Sequence, residues 1–332
     1  MLFLRHHILI VVSIIAACFV ILIGLFAKVF IPVAINHQGP VILSIERGQS
    51  LISISKELQR EGVIDSPFLF RLILELQTSK NTVQAGYYQF ADSKNASSTP
   101  RFSIFEVARR LANGESGFSV VKVVVPEGFS TMDIGQRLQK QFGGIDPADF
   151  LSRSKEYEGY LFPDTYYIMP FATSSQIVKQ MRDNFDEKVL KNTNLMAAIQ
   201  NSGHSLEDVI KMASILEGEV RTVKDRRLVS DLLWRRIKIG MPLQVDSTFQ
   251  YINQKTTAEL TREDLKIDSP YNTYKYKGLP PTPISNPGLD TILAAAEPEA
   301  NNFLFFLNDA EGNTYFSKTY AEHLRLKNKY LK

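Results

Sequence analysis

The sequence predicts an α+β protein: a single N-terminal transmembrane helix, a membrane-proximal region of strand-turn-helix units, and a mixed α/β domain beyond them. Three observations carry this. Residues 8–27 contain no charged side chain, a turn-and-helix signature at Gly48 returns at Gly128, and the distal half mixes strand-length apolar runs with segments of 3.6-residue apolar period. The implied segments are a cytoplasmic tip at 1–7, a span at 8–27, a linker at 28–39, the membrane-proximal region at 40–147 and the distal domain at 148–332.

At 1.5 Å per residue, a helix of about 20 residues covers the roughly 30 Å of hydrocarbon in a bilayer. The run is longer than a signal-peptide core and meets only Lys28 before Pro32, so it is expected to remain as an anchor. Arg5 favours a cytoplasmic N-terminus, a bias that Lys28 dilutes, and the rest of the chain is then outside the membrane. The only cysteine, Cys18, lies inside the run, so the exterior part needs neither disulfide nor thiolate metal site. With 38 basic and 35 acidic residues, a net charge of +3 and no basic block, composition argues against a nucleic-acid partner. Some 300 exterior residues exceed one minimal core and imply two domains or more.

In the membrane-proximal half, residues 41–45 read as a strand, Arg47 to Ser50 as a turn with a helix cap, and Ile54 and Leu58 as a helical stripe. Gly48, Ser50, Ile54, Leu58 and Gln59 are matched by Gly128, Ser130, Ile134, Leu138 and Gln139, each set following a β-prone run. This recurrence fits either a structural unit or a glycan-binding one. Between the copies, residues 68–76 and 104–111 have helical patterns, 83–90 is strand-like, and 92–100 is a polar loop.

In the distal half, residues 120–125 form a strand ahead of the second copy, and 148–154 a helical turn. Residues 158–168, EGYLFPDTYYI, set Glu158, Tyr160 and Asp164 among aromatic rings beside a proline, which suits a carbohydrate groove and a packed proline turn equally. Helices are expected at 174–190, 205–219, 224–239 with Gly240 closing it, 292–296 and 319–329. Residues 240–251 look non-helical and carry a dense hydrogen-bonding group, Gln244, Asp246, Ser247 and Thr248. Residues 269–287, rich in Pro and Tyr, read as a rigid irregular loop, and 301–307 and 314–316 as two strands around a turn.

The stretch 205–219, SLEDVIKMASILEGE, holds the most chemistry. Ser205 and Asp208 form a capping-box pattern, and Val209, Met212, Ala213 and Leu216 make one apolar face. Glu217 and Glu219 fall on opposite flanks of it, about 200° apart at roughly 100° per residue, so they are not a close pair acting on one bond. A glutamate at an apolar edge can serve as a general acid; two solvated glutamates at a helix end are the plain alternative. Three histidines beyond the anchor, His37, His204 and His323, lack metal-ligand spacing, and no G-x-S-x-G elbow, phosphate loop or dinucleotide fingerprint is present. Carboxylate chemistry on a sugar polymer remains.

Five blocks, VPEGFS (125–130), EGYLFPDTY (158–166), ASILEGE (213–219), IGMPLQVDST (239–248) and PTPISNPG (281–288), together resemble the YceG-like family of endolytic murein transglycosylases, in order and spacing across residues 40–325. The resemblance implies an inner-membrane protein with a LysM-like membrane-proximal region and a catalytic domain in the periplasm. It implies cleavage of peptidoglycan glycan strands between N-acetylmuramic acid and N-acetylglucosamine, without water and without a cofactor or metal, beside peptidoglycan synthases as partners. It assigns Glu217 as the catalytic acid, aligns Glu219 with the family's second glutamate and makes Gln244, Asp246 and Thr248 the groove wall; Glu158, Tyr160, Asp164 and Asn286 are expected beside them as substrate-binding residues. The chain departs from the family at GNTYFSKT, where Asn313 and Thr314 stand in place of a glycine-rich turn with histidine. The competing class is a non-enzymatic anchored protein that binds peptidoglycan and positions synthases.

Overall fold

The computed structural model describes residues 2–34, 41–46, 48–77, 83–90, 101–118 and 120–331. Arg47, His37 and the polar loop expected at 92–100 lie outside the described residues. The chain forms two compact units, Met1–Ser119 and Val120–Lys332.

The first unit contains α1 (Leu2–Phe30), β1 (Val33–Ala34), β2 (Ile42–Ile45), α2 (Leu51–Arg60), α3 (Pro67–Gln77), β3 (Gly86–Gln89), β4 (Arg101–Phe102) and α4 (Ile104–Asn113). Within α1 the stretch Val12–Phe30 is long and apolar enough to cross a membrane, with a mean hydropathy of 2.6. The helix runs past the expected end at residue 27 because its last turn has something to pack on. Val29 is buried in the unit's core, and the Phe30 ring stacks on Phe105 of α4 with centroids 5.2 Å apart. β2 pairs antiparallel with β3, and β1 with β4. Alternation along β2 turns Leu43 and Ile45 inward, where Ile54 and Leu58 of α2, Phe70 and Leu74 of α3, and Val107 and Leu111 of α4 close the core.

The second unit contains β5 (Val121–Val124), α5 (Thr131–Phe142), α6 (Pro147–Ser154), β6 (Thr165–Ile168), α7 (Ser174–Phe185), α8 (Thr193–Ser202), α9 (Leu206–Glu219), α10 (Val223–Lys238), α11 (Ser247–Asn253), α12 (Leu289–Ala296), β7 (Phe305–Asn308), β8 (Thr314–Ser317) and α13 (Tyr320–Tyr330). β5 pairs antiparallel with β6 in the register Val121↔Ile168, and β7 with β8. The pairing of β5 with β6 corrects the expected boundary after residue 147. It ties the second strand-turn-helix copy to the distal body, so the division falls after Ser119. The two copies are alike where the signature is: Gly48 and Gly128 both have positive φ, and Ser50 and Ser130 both cap the following helix through the N–H three residues on.

One core gathers α9 with α8, α10 and α12, burying Val209, Met212, Ala213 and Leu216 as the helical period requires. A second core lies under β5, β6, α5, α6 and α7, built on Val123, Ile134, Phe150 and Met181. Two expectations need correction. The helix expected at 174–190 changes to π-helical geometry over Asp186–Leu190, and the stretch after Gly240 is not irregular throughout but winds into α11. α8 carries a short, weakly patterned sequence that periodicity did not single out; Asn192 starts it by accepting the Leu195 N–H.

Candidate active site

The site grows from the C-terminal turn of α9, which Ser205 opens by accepting the Asp208 N–H at 3.1 Å. Glu217 and Glu219 leave this turn on different sides, as their spacing requires. Both Glu217 oxygens accept: Oε1 from Arg226 Nη2 of α10 at 2.6 Å, and Oε2 from the N–H of Gly288, which caps α12, at 2.9 Å. The Glu217 side chain is only 4% exposed and Arg226 12%, so this ion pair is shielded from solvent. Glu127 lies close by. Its carboxylate packs on Gly288, so that a Cβ there would overlap it and push the Glu127 side chain aside. Burial first, then the Glu217 charge, push Glu127 above the usual carboxylate range, while Arg226 opposes the rise.

Glu219 turns toward α11 and accepts the Ser247 N–H at 2.9 Å. Burial pushes it up to about 7, with the Ser247 hydrogen bond opposing. Gly218 between the two glutamates lets α11 approach, since a Cβ there would stand 2.8 Å from Ser247 Cβ.

Asn286 is the staple of the site. It is fully buried, its Oδ1 accepts the Leu161 N–H at 2.8 Å, and its Nδ2 donates to the Phe129 carbonyl at 2.9 Å and to Glu158 Oε1 at 3.2 Å. Glu158 in turn accepts from the Thr131 N–H at 3.1 Å and from Thr131 Oγ1 at 2.8 Å, at the start of α5. The loop of residues 281–288 is also held to α9, where Ile284 N–H donates to Ser214 Oγ at 3.1 Å. Hydrogen bonds therefore join all five sequence blocks around Glu217 although they lie far apart in the chain.

A cleft of about 560 Å³ opens beside this network, lined by Gly128, Thr131, Glu158, Ser214, Gly218 and Ser247 among others. Glu217 is not among the lining residues but lies directly behind two of them: Gly218 follows it in the chain, and a Cβ on Gly128 would meet Glu217 Cγ at 3.3 Å. Of the residues expected to bind substrate, Glu158 lines the cleft. The rest are engaged elsewhere. Tyr160 packs edge-on against Phe185, and Asp164 accepts from the Thr165 N–H and from Asn184 Nδ2. Thr248 is buried and donates to the Val245 carbonyl, and Asp246 accepts from the Tyr274 hydroxyl at 2.6 Å. Gln244 is exposed, with its N–H on the Thr273 carbonyl. The cleft wall expected from Gln244, Asp246 and Thr248 is formed instead by the next helical turn, Ser247, Gln250 and Tyr251. Sequence reasoning missed Glu127, Arg226 and Gly288. Glu127 and Gly288 lie in the VPEGFS and PTPISNPG blocks and Arg226 in the helix expected at 224–239, but the sequence assigned none of them a role.

Burial pushes Glu158 up from 4.5 to about 7, against its hydrogen bonds from Thr131. The folded unit thus binds the Glu158 proton more tightly than the unfolded chain does. Its stabilisation is fully present below about pH 4.5 and is lost as pH rises through 7, on the order of 3 kcal/mol at about 1.4 kcal/mol per unit. Urea unfolding at pH 5 and pH 8 is expected to show this loss in the wild type and a smaller one in Glu158→Gln. Equal pH dependence in both would refute it.

The YceG-like family model matches residues 43–329, a span that includes all five blocks. The chain is 29% identical over 327 residues to the endolytic murein transglycosylase of Bacillus subtilis (strain 168), covering 90% of this chain and 87% of that one. It is 25% identical over 338 residues to the endolytic murein transglycosylase of Streptococcus pneumoniae (strain R6), covering 89% of this chain and 59% of that one. The crystal structure of a YceG-like protein from Listeria monocytogenes matches with a TM-score of 0.57 at 28% identity, covering 88% of this chain and 100% of that one. With the family model spanning most of its length and a solved relative sharing its fold, the chain belongs to the YceG-like family.

Proposed function

We propose that the protein is a membrane-anchored endolytic lytic transglycosylase that cuts nascent peptidoglycan strands between N-acetylmuramic acid and N-acetylglucosamine, leaving 1,6-anhydromuramyl ends and terminating elongation. The observation that carries the reading is Glu217 itself, a shielded carboxylate directly behind the lining of a cleft, on which the family's five blocks converge. The naming of its relatives as endolytic murein transglycosylases supports the same reaction.

In this reaction Glu217 gives its proton to the glycosidic oxygen as the C1–O bond breaks with oxocarbenium character. The resulting carboxylate then takes the proton of the muramyl C6 hydroxyl while that oxygen bonds to C1. Atoms balance without water, and one residue serves as acid and then base. Arg226 on Oε1 and the Gly288 N–H on Oε2 fix the orientation of the Glu217 carboxyl, and each oxygen keeps a further lone pair for the proton. In the same reading the first unit is LysM-like and holds the strand, synthases supply it, and the second unit faces the periplasm.

Incubation of the purified full chain with glycan strands, followed by mass spectrometry, tests the chemistry. New anhydromuramyl ends are expected; co-sedimentation without product would instead establish the binding-only class. Topology has its own test. With Val12–Phe30 as the span and Arg5 ahead of it, a tag after Lys332 is expected to be cleaved by protease added outside the membrane. Protection of that tag in intact cells would place the second unit in the cytoplasm and remove the cell-wall reading.

A further inference from the structure

The reading of Glu217 as sole proton carrier leaves a neighbouring group unused. Glu127, from the turn between β5 and α5, sets its carboxylate against Gly288, the residue whose N–H holds Glu217 Oε2. Two carboxylates thus meet one glycine from different elements. The charged groups that face Glu127 are Glu217, Arg226 and Asp290, and only Arg226 is positive. Arg226 is bonded to Glu217 at 2.6 Å, while Glu127 makes no hydrogen bond among the described residues. Arg226 is ion-paired with Glu217, and Glu127 has no ion pair among the described residues. Glu127 is exposed as a whole residue even though its carboxylate end is packed on Gly288.

We propose that Glu127 and Glu217 are a coupled pair across Gly288 with Arg226 as their shared counter-ion, and that Glu127 is the positioning residue that sets when Glu217 holds a proton. This rests on the transglycosylase reading and deepens it. Two like charges sharing one counter-ion favour one proton on the pair, and the raised titration of Glu127 accords with that sharing. A negative Glu127 is a like charge beside Glu217, across the same glycine. It also competes with Glu217 for Arg226, the cation that Glu217 accepts from at 2.6 Å.

The signs are opposite for the two partners and define the test. Glu127→Gln removes a negative charge, so the alkaline limb of the rate-against-pH profile, measured on the full chain in detergent with glycan strands, is expected to move down by about one unit. Arg226→Gln removes the positive charge, so the limb is expected to move up. A merely structural Glu127 would lower the rate at every pH and leave the limb in place. Profiles of the wild type and Glu127→Gln that superimpose after scaling would overturn the proposal. Glu127→Ala provides the second variant should Glu127→Gln fold poorly. Titration of ¹³C-labelled glutamate carboxyls in the same protein reads the coupling without substrate. A Glu217 titration that moves down in Glu127→Gln supports the pair even if no anhydromuramyl end forms, whereas independent titrations overturn it even if the enzyme is active.

Discussion

Glu217→Gln is expected to reduce the formation of anhydromuramyl ends by a factor on the order of 10² or more. Glutamine keeps the volume and can still accept the Gly288 N–H, so the loop of residues 281–288 stays in register. It cannot carry the proton between the glycosidic oxygen and the C6 hydroxyl. It also leaves Arg226, 12% exposed, without its counter-charge, which is expected to lower stability as well. Circular dichroism and thermal melts of each variant separate that cost from the loss of chemistry. Glu219→Gln should act mainly on stability, because Glu219 faces Ser247 on the other flank. A folded Glu217→Gln protein that still produced anhydromuramyl ends at near the normal rate would end the assignment. A larger loss from Glu219→Gln than from Glu217→Gln would move the chemistry to the α11 side.

Local chemistry was legible in the sequence, and long-range pairing was not. The caps at Ser50, Ser130 and Ser205 and the inward stripe of α9 depend on neighbours within a few residues, and they stand where periodicity puts them. The opposite exits of Glu217 and Glu219 follow from helical geometry alone. By contrast, the boundary after Ser119 depends on β5 finding β6 more than 40 residues later, which the recurrence at Gly128 obscured by making residues 120–139 look like part of the first unit. The lining of the cleft was not legible for a related reason. Thr248 and Asp246 look like free polar groups in the sequence, but α11 turns Thr248 onto Val245 and Asp246 meets Tyr274, nearly 30 positions away. Glu127 and Arg226 acquire meaning only once Gly288 is placed between β5, α9 and α12.

Asn286→Ala is expected to destabilise the second unit by about 3–5 kcal/mol. The side chain is fully buried and makes three hydrogen bonds, one accepted from the Leu161 N–H and two donated, to the Phe129 carbonyl and to Glu158. Truncation leaves Leu161 with an orphan N–H and opens a cavity that apolar neighbours cannot solvate. The Phe129 carbonyl loses least, because it also accepts the Asn286 backbone N–H at 2.9 Å. A loss of this size is a large fraction of the roughly 5–15 kcal/mol that holds a domain together. The only tryptophan, Trp234, lies in α10 of the second unit, so its fluorescence during urea unfolding of the full chain reports on the unit concerned. The consequence should reach the chemistry, since Gly288, two residues along, loses its fixed approach to Glu217, and activity should fall before the fold does. A Trp234 transition within about 0.5 kcal/mol of the wild type, with undiminished cutting of glycan strands, would show that the five blocks are held together by contacts other than Asn286.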